Sequence, residues 1–379
     1  MGSPKPEQQA LLNSLEQSLE ALGLPKPSRV SGGQGLGPKV THRLHFGSPQ
    51  ADRMLHRISW DAGYDPLKNE HAAVQFLTTT RLVPCQLTYQ LLELRPSAAI
   101  ATIVPGTGGD QVIHRQKEMT KSVCEVIGQV MRRLSAAKSN NWGTRASGGR
   151  FVPLRSCWRS EWWKWVRWEA NTASSHGTFD ERHSGLLESI KIQMEALDEV
   201  QQFSLVHRDL KPDNMLFKVG KTRFRGRRAT EADSKHRFPV LKSRPTEPVG
   251  PGVNRELELT GVVDWSGSLL GDPIVEWVLP MFLPSVLLTS IIHGFGASRA
   301  REIFTPEAIQ RLDVYCMTRI LGAFRRAGQL TRFVSEAAGA QALQEANALF
   351  AMAQANREEK RLSTLLGTSK IEDSPGRTG

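Results

Sequence analysis

Cysteine is scarce and scattered. Cys85, Cys124, Cys157 and Cys316 are the only four in 379 residues, and no two stand at metal-knuckle or disulfide-framework spacing. This argues against a disulfide-stapled secreted domain and points to a reducing, cytoplasmic setting. Long apolar runs are missing too. The most membrane-like stretch, Val278 to Ile292, has fifteen residues, contains Pro280 and Pro284 and follows Asp272 and Glu276, so a buried helix pair is expected rather than a span. The opening M-G-S-P-K-P-E-Q-Q lacks the apolar core of a signal peptide, and Pro6 stands where a myristoylation signal needs Ser or Thr. A soluble protein without a membrane partner is expected. An apolar content of 39% suits a core-forming chain with room for one large or two medium domains.

Charge is concentrated. The net charge is +11, of which +8 falls between Lys218 and Arg244, where ten Lys or Arg stand against Glu231 and Asp233. That segment lacks helix or strand periodicity and becomes rich in Pro and Gly toward Gly252, so residues 218–258 read as a basic, flexible insertion. The remaining +3 is ordinary for an enzyme. Clustered Arg attracts phosphate, yet a solvated loop is the better default, and nucleic acid is not the expected partner.

Two motifs carry the chemistry. Leu205 to Phe217 reads L-V-H-R-D-L-K-P-D-N-M-L-F, and Asp264 follows fifty positions after Asn214 in G-V-V-D-W. Phosphoryl transfer from a nucleotide needs an acid to take a hydroxyl proton, plus an amide and a second acid to hold Mg²⁺. A short loop pinned by Leu205, Val206, Met215, Leu216 and Phe217 would let Asp209 reach the acceptor hydroxyl while Asn214 turns to the metal. Val262 and Val263 read as the end of a buried strand that presents Asp264 at its tip.

The rest of the chain organises around these motifs. Glu7 to Leu22 has apolar residues at helical spacing and stops at Pro25 and Pro27. The glycine run S-G-G-Q-G-L-G from Ser31 leads into two alternating stretches, K-V-T-H-R-L-H-F and R-M-L-H-R-I-S-W, read as strands. Glycine turns can cradle phosphate through backbone N–H groups. Arg57 in the second strand, paired to Glu70 at the opening of a helix, is the expected phosphate-facing cation. Gln86 to Leu94 and Ala98 to Val104 complete a small antiparallel sheet, and the hinge is expected at Pro105 to Gly109. Helical patterns follow over Glu118 to Leu134, Ser156 to Trp168, Ser184 to Phe203, Pro273 to Gly294, Pro306 to Arg326 and from Phe333 to about Leu366. The tryptophans of the second stretch, at helical spacing, are expected to pack in the core rather than form a ligand cage.

The motifs H-R-D-L-K-P-D-N and D-W-S-G-S-L-L-G-D-P resemble those of the aminoglycoside phosphotransferase family, the small-molecule branch of the protein-kinase-like fold. They differ from eukaryotic protein kinases, whose D-F-G and A-P-E are not found here. The resemblance implies an α+β, bilobal fold: a nucleotide-binding lobe over residues 7–105, a helical catalytic and substrate lobe over 106–332, and a helical then disordered tail over 333–379. It implies Asp209 as base, Asn214 and Asp264 as Mg²⁺ ligands, and Arg57 and Glu70 as the phosphate-side pair. It further implies that Gly106 follows the strand whose backbone meets adenine, that His207 braces the loop, and that Asp272 accepts structural hydrogen bonds. Arg208 and Lys211 stand where small-molecule kinases often have Gly and His, and Lys211 is available to offset the transferred phosphate.

The implied function is transfer of the γ-phosphate of ATP or GTP, with Mg²⁺, to a hydroxyl of an aminoglycoside, amino-alcohol or sugar. A catalytically weak pseudokinase or nucleotide-binding scaffold, and a protein Ser/Thr kinase, are the alternatives. Glu188, Glu195, Asp198 and Glu199 would suit a cationic acceptor if they faced it, although a solvated face is the plainer reading.

Overall fold

The computed structural model describes residues 13–221 and 255–359, apart from 14, 17, 35–38, 49–51, 59–64, 87, 93–97, 144–145, 148–149 and 155–156. Most of the basic insertion, part of the glycine run and the chain from residue 360 therefore lie outside the described residues.

Five strands, β1 (Arg29–Gln34), β2 (Lys39–His45), β3 (Arg53–Ile58), β4 (Tyr89–Leu92) and β5 (Ala98–Thr102), form an antiparallel sheet in the order β1-β2-β3-β5-β4. Side chains alternate between its faces, and directly paired residues share one. Leu44, Leu55, Ala98 and Ile100 face a small core completed by Leu15 and Leu19 of the leading helical segment, while Ala99 and Ala101 face the main core. Helix α1 (Pro66–Thr80) packs Leu67, Ala73, Val74 and Leu77 into that main core. It starts where the Asp65 carboxylate accepts from the N–H groups of Leu67 and Lys68, with Pro66 at a position needing no donor.

After the short strand β6 (Thr107–Gly108) and helix α2 (Gly109–Arg115), the chain is mainly helical: α3 (Thr120–Ala136), α4 (Trp158–Ser175), α5 (Ser184–Gln193), α6 (Val278–Met281), α7 (Ser285–Phe295), α8 (Ala297–Ile303), α9 (Pro306–Phe333) and α10 (Glu336–Glu359). Small strands are embedded in this half: β7 (Ala146–Ser147) and β8 (Arg150–Phe151) pair with each other, and β9 (Ser204–Val206), β10 (Met215–Lys221), β11 (Arg255–Val262) and β12 (Leu269–Gly271) frame the two motifs. The architecture is thus the α+β, two-lobed one expected. The single helix read over Ser184 to Phe203 ends at Gln193, and a 3₁₀ stretch covers Met194–Glu199. The stretch from Pro273 divides into a 3₁₀ turn, α6 and α7, because Pro284 cannot donate to a continuing helix. Helix α10 docks on the larger lobe rather than trailing from it: Ala346 is fully buried, and Leu349 and Phe350 pack on the core.

Helices α3 and α7 touch through glycine. A Cβ on Gly128 would collide with the Ile291 carbonyl oxygen, and one on Gly294 with the Glu125 carbonyl oxygen. Gly128→Val should therefore cost roughly 3 kcal/mol of stability through overpacking. A drop in the urea unfolding midpoint at unchanged m would show it.

Candidate active site

The catalytic-type loop is carried between β9 and β10, and Asp264 follows β11. Strands β10 and β11 pair antiparallel with Met215 opposite Val262, so the residues flanking that pair are neighbours despite their separation in sequence. The Val263 N–H donates to the Asn214 carbonyl at 3.0 Å. Within the loop, the Asn214 amide donates to the Asp209 carbonyl (2.8 Å) and to Asp209 Oδ2 (3.2 Å).

His207 is fully buried against Trp265, and its Nε2 lies 2.9 Å from the Val263 carbonyl. A carbonyl can only accept, so Nε2 carries the proton, leaving Nδ1 to accept from the Asp209 N–H at 3.3 Å. His207 thus ties one motif to the other. Beneath it, buried Glu276 accepts from the backbone N–H groups of His207 (2.6 Å) and Arg208 (3.3 Å). Arg208 (φ 70°) and Asp264 (φ 62°) are both left-handed, a conformation costing a non-glycine residue about 1–2 kcal/mol. These contacts hold the strained backbone in place.

The expected pair of Arg57 with Glu70 is not formed. Lys39, at the start of β2, donates to Glu70 Oε2 at 3.0 Å and to Asp264 Oδ1 at 2.6 Å. The reason is alternation: Arg57 pairs with Val40 and Ala98 and shares the outer face with Leu55, whereas Lys39 shares the inner face with Thr41 and His56. Leu44 and Leu55 lie on that outer face, which the leading helical segment covers through Leu15 and Leu19. Glu70 is fully buried inside α1, one turn beyond its start, and Tyr89 Oη adds a second donor at 2.9 Å. Burial works against charge on both members of the Lys39 and Asp264 pair. Each nonetheless favours its charged form: the two carboxylates raise the Lys39 pKa, and Lys39 with Ser266 holds Asp264 well below the carboxylate range.

Lys39, His56, Asp209 and Asp264 line one cleft of about 770 Å³ between the lobes. Asp209 lies 3.1 Å from Lys211 Nζ and 3.4 Å from an Arg319 nitrogen. Burial would raise its pKa, but these cations outweigh that and lower it, keeping the carboxylate ionised. Gly106 does not line the cleft. Its φ of 145° suits glycine, and a Cβ there would lie 2.5 Å from Thr260 Oγ1, so it serves close packing on β10 and β11 while Thr102, Ile103 and Val104 face the cleft. Asp272 is buried and accepts from the Ile274 N–H, Arg311 Nε (2.8 Å) and Tyr315 Oη (2.9 Å), a structural anchor. The tryptophan reading needs correction in part. Trp158 and Trp162 are buried, but Trp162, Trp165 and Trp168 also line the cleft. Glu188, Glu195, Asp198 and Glu199 are exposed and outside its lining.

Among the described residues, no trio of His, Cys, Asp or Glu is assembled to hold a metal by itself. The oxygen-only set of Asn214 and Asp264 beside Asp209 fits Mg²⁺, which takes one or two carboxylates and completes its shell with phosphate and water.

A model described as the phosphotransferase enzyme family matches residues 45–226. No curated protein sequence matches the chain. Solved structures share its fold at low identity. A thermostable mutant of aminoglycoside phosphotransferase APH(4)-Ia, apo form, is 15% identical with a TM-score of 0.55, covering 88% of this chain and 96% of that one. Its D198A ternary complex with ADP and hygromycin B is 15% identical, TM-score 0.53, over 89% and 97%. The GDP complex of aminoglycoside 2'-phosphotransferase-IIIa is 13% identical, TM-score 0.51, over 90% and 98%.

His56 gives this site a pH signature. Burial, helped by the Lys39 charge, lowers its pKa from 6.5 to about 4. The unfolded chain therefore binds the extra proton first, so stability present above pH 6.5 is lost as the pH falls toward 4. His56→Leu should remove up to roughly 3 kcal/mol of that acid-side loss, read from urea unfolding at pH 7 and pH 4.5.

Proposed function

We propose that this chain, which matches the phosphotransferase enzyme family model over residues 45–226, transfers the γ-phosphoryl group of ATP or GTP to a hydroxyl of a small molecule. The observation that carries the reading is the convergence of Asp209 and Asp264 on one cleft, with Asn214 bound to the loop of the first and adjoining the strand end of the second. Neighbouring folds that bind ADP, AMP-PNP or GDP support a nucleotide donor.

In this proposal the acceptor oxygen forms a bond to the γ-phosphorus as the bond from that phosphorus to the β,γ-bridging oxygen breaks. The nucleoside diphosphate leaves with that electron pair, and the hydroxyl proton passes to Asp209. Asp209 is suited to orient the hydroxyl and accept its proton late, because its neighbouring cations keep it a weak base. Lys39, positioned by Glu70, meets the donor phosphates, and Lys211 and Arg319 offset charge on the transferring group. Asn214 and Asp264 would hold Mg²⁺, which when bound neutralises phosphoryl oxygen charge. The family's expected cation is thus assigned to Lys39 in place of Arg57.

Transfer measured by release of nucleoside diphosphate should vanish in Asp209→Asn and Asp264→Ala while far-ultraviolet circular dichroism is unchanged. Near-normal turnover in either would overturn the roles assigned. Lys39→Met should lower kcat/KM by about 10²–10³, the scale of a lost charge-stabilising donor, whereas Arg57→Met should stay within about threefold of the parent.

A further inference from the structure

The charge of the acceptor half of the cleft is the reverse of what an amine-rich substrate requires. This half is walled by α4, α9 and α10. On α9, Arg319, Gly322, Ala323 and Arg326 recur at the spacing that puts residues on one helix face, and all four line the cleft. The small pair leaves space between two guanidinium groups about two turns apart.

Five cations line this half: Arg208, Lys211, Arg319, Arg325 and Arg326. The carboxylates facing them are Asp209, Glu169 and Glu345. Two of these three are already matched. Asp209 is paired with Lys211 and Arg319, and buried Glu169 is paired with Arg325 while accepting from Trp165 Nε1 at 2.7 Å. Indole faces fix the guanidinium planes: Arg208 lies 3.7 Å from the Trp165 ring centre and Arg325 lies 4.8 Å from that of Trp168. A planar guanidinium so held presents paired donors that match the two oxygens of a carboxylate or phosphate. The acidic residues suited to a polycation, Glu188, Glu195, Asp198 and Glu199, are exposed and lie outside the cleft.

We infer that the acceptor is a hydroxylated compound bearing an oxyanion, a carboxylate or a phosphate, rather than a polycationic aminoglycoside. This rests on the phosphotransferase reading above and narrows its substrate class. A ligand rich in ammonium groups would have to compete with Arg and Lys for carboxylates they already hold; an oxyanion adds to the same array without displacing a pair.

The test is binding to the full chain, followed by tryptophan fluorescence with Mg²⁺ and AMP-PNP present. The probes are shikimate as hydroxylated carboxylate, glucose 6-phosphate as hydroxylated phosphate and gentamicin as polycation. At least one anionic probe should bind about tenfold or more tightly than gentamicin. Which one does so distinguishes the two oxyanions. The exposed Arg326 allows a charge change without disturbing the core: Arg326→Glu should weaken the preferred anion by about tenfold, and Arg326→Lys should largely retain it. Gentamicin binding as tightly as the anions, or an anion affinity indifferent to Arg326→Glu, overturns the inference. Failure of the phosphotransferase reading would look different: no thermal shift with Mg²⁺ and either ATP or GTP, whatever the charge preference of the cleft.

Discussion

One ammonium group, that of Lys39, joins three separately built pieces of the molecule. It projects from the inner face of the small sheet, meets the buried Glu70 of α1, and reaches Asp264 at the end of β11. Glu70 lies at zero exposure, so removing the cation would leave a carboxylate stranded in the core, which is far costlier than losing a surface pair. The bridge therefore couples the placement of the helix to the orientation of the carboxylate facing the cleft. It also holds Asp264, which is only partly buried, in its ionised form.

Around this bridge the molecule arranges charge by confinement rather than by number. The imidazole of His207 links the two motif-bearing segments through its two ring nitrogens. Glu276 takes the two loop N–H groups that a left-handed Arg208 presents, and the Arg208 guanidinium stacks on indole in the acceptor half. Backbone strain at Arg208 and Asp264 is thus tolerated because hydrogen bonds and packing on all sides specify it. The resulting cleft has fixed, ionised carboxylates at its centre and an excess of guanidinium on the acceptor side.

Much of this was legible from local pattern. The octet around Asp209 and the later V-V-D-W identified the two segments that meet, because phosphoryl transfer demands those side chains at that spacing. The sheet, the helix bearing Glu70 and the helical half followed from hydrophobic period. The expectation at Arg57 fails because Arg57 shares a face with Leu55, and only the packing of the leading helical segment on Leu55 makes that face the outer one. Gly106 follows a stretch whose Thr102, Ile103 and Val104 line the cleft, while its own backbone freedom serves packing on Thr260 and Leu216. No local signal could have shown that Glu276, sixty-nine residues beyond His207, would lie under the loop, or that α10 would form a wall of the cleft.

The linear chain by itself determined the reactive groups and the type of element carrying each, since periodicity and motif spacing are properties of neighbours along the backbone. Tertiary structure decided which cation answers Glu70, which tryptophans face the cleft and what charge the acceptor meets. Those outcomes depend on strand register and helix docking, where a shift of one residue turns a side chain to the opposite face.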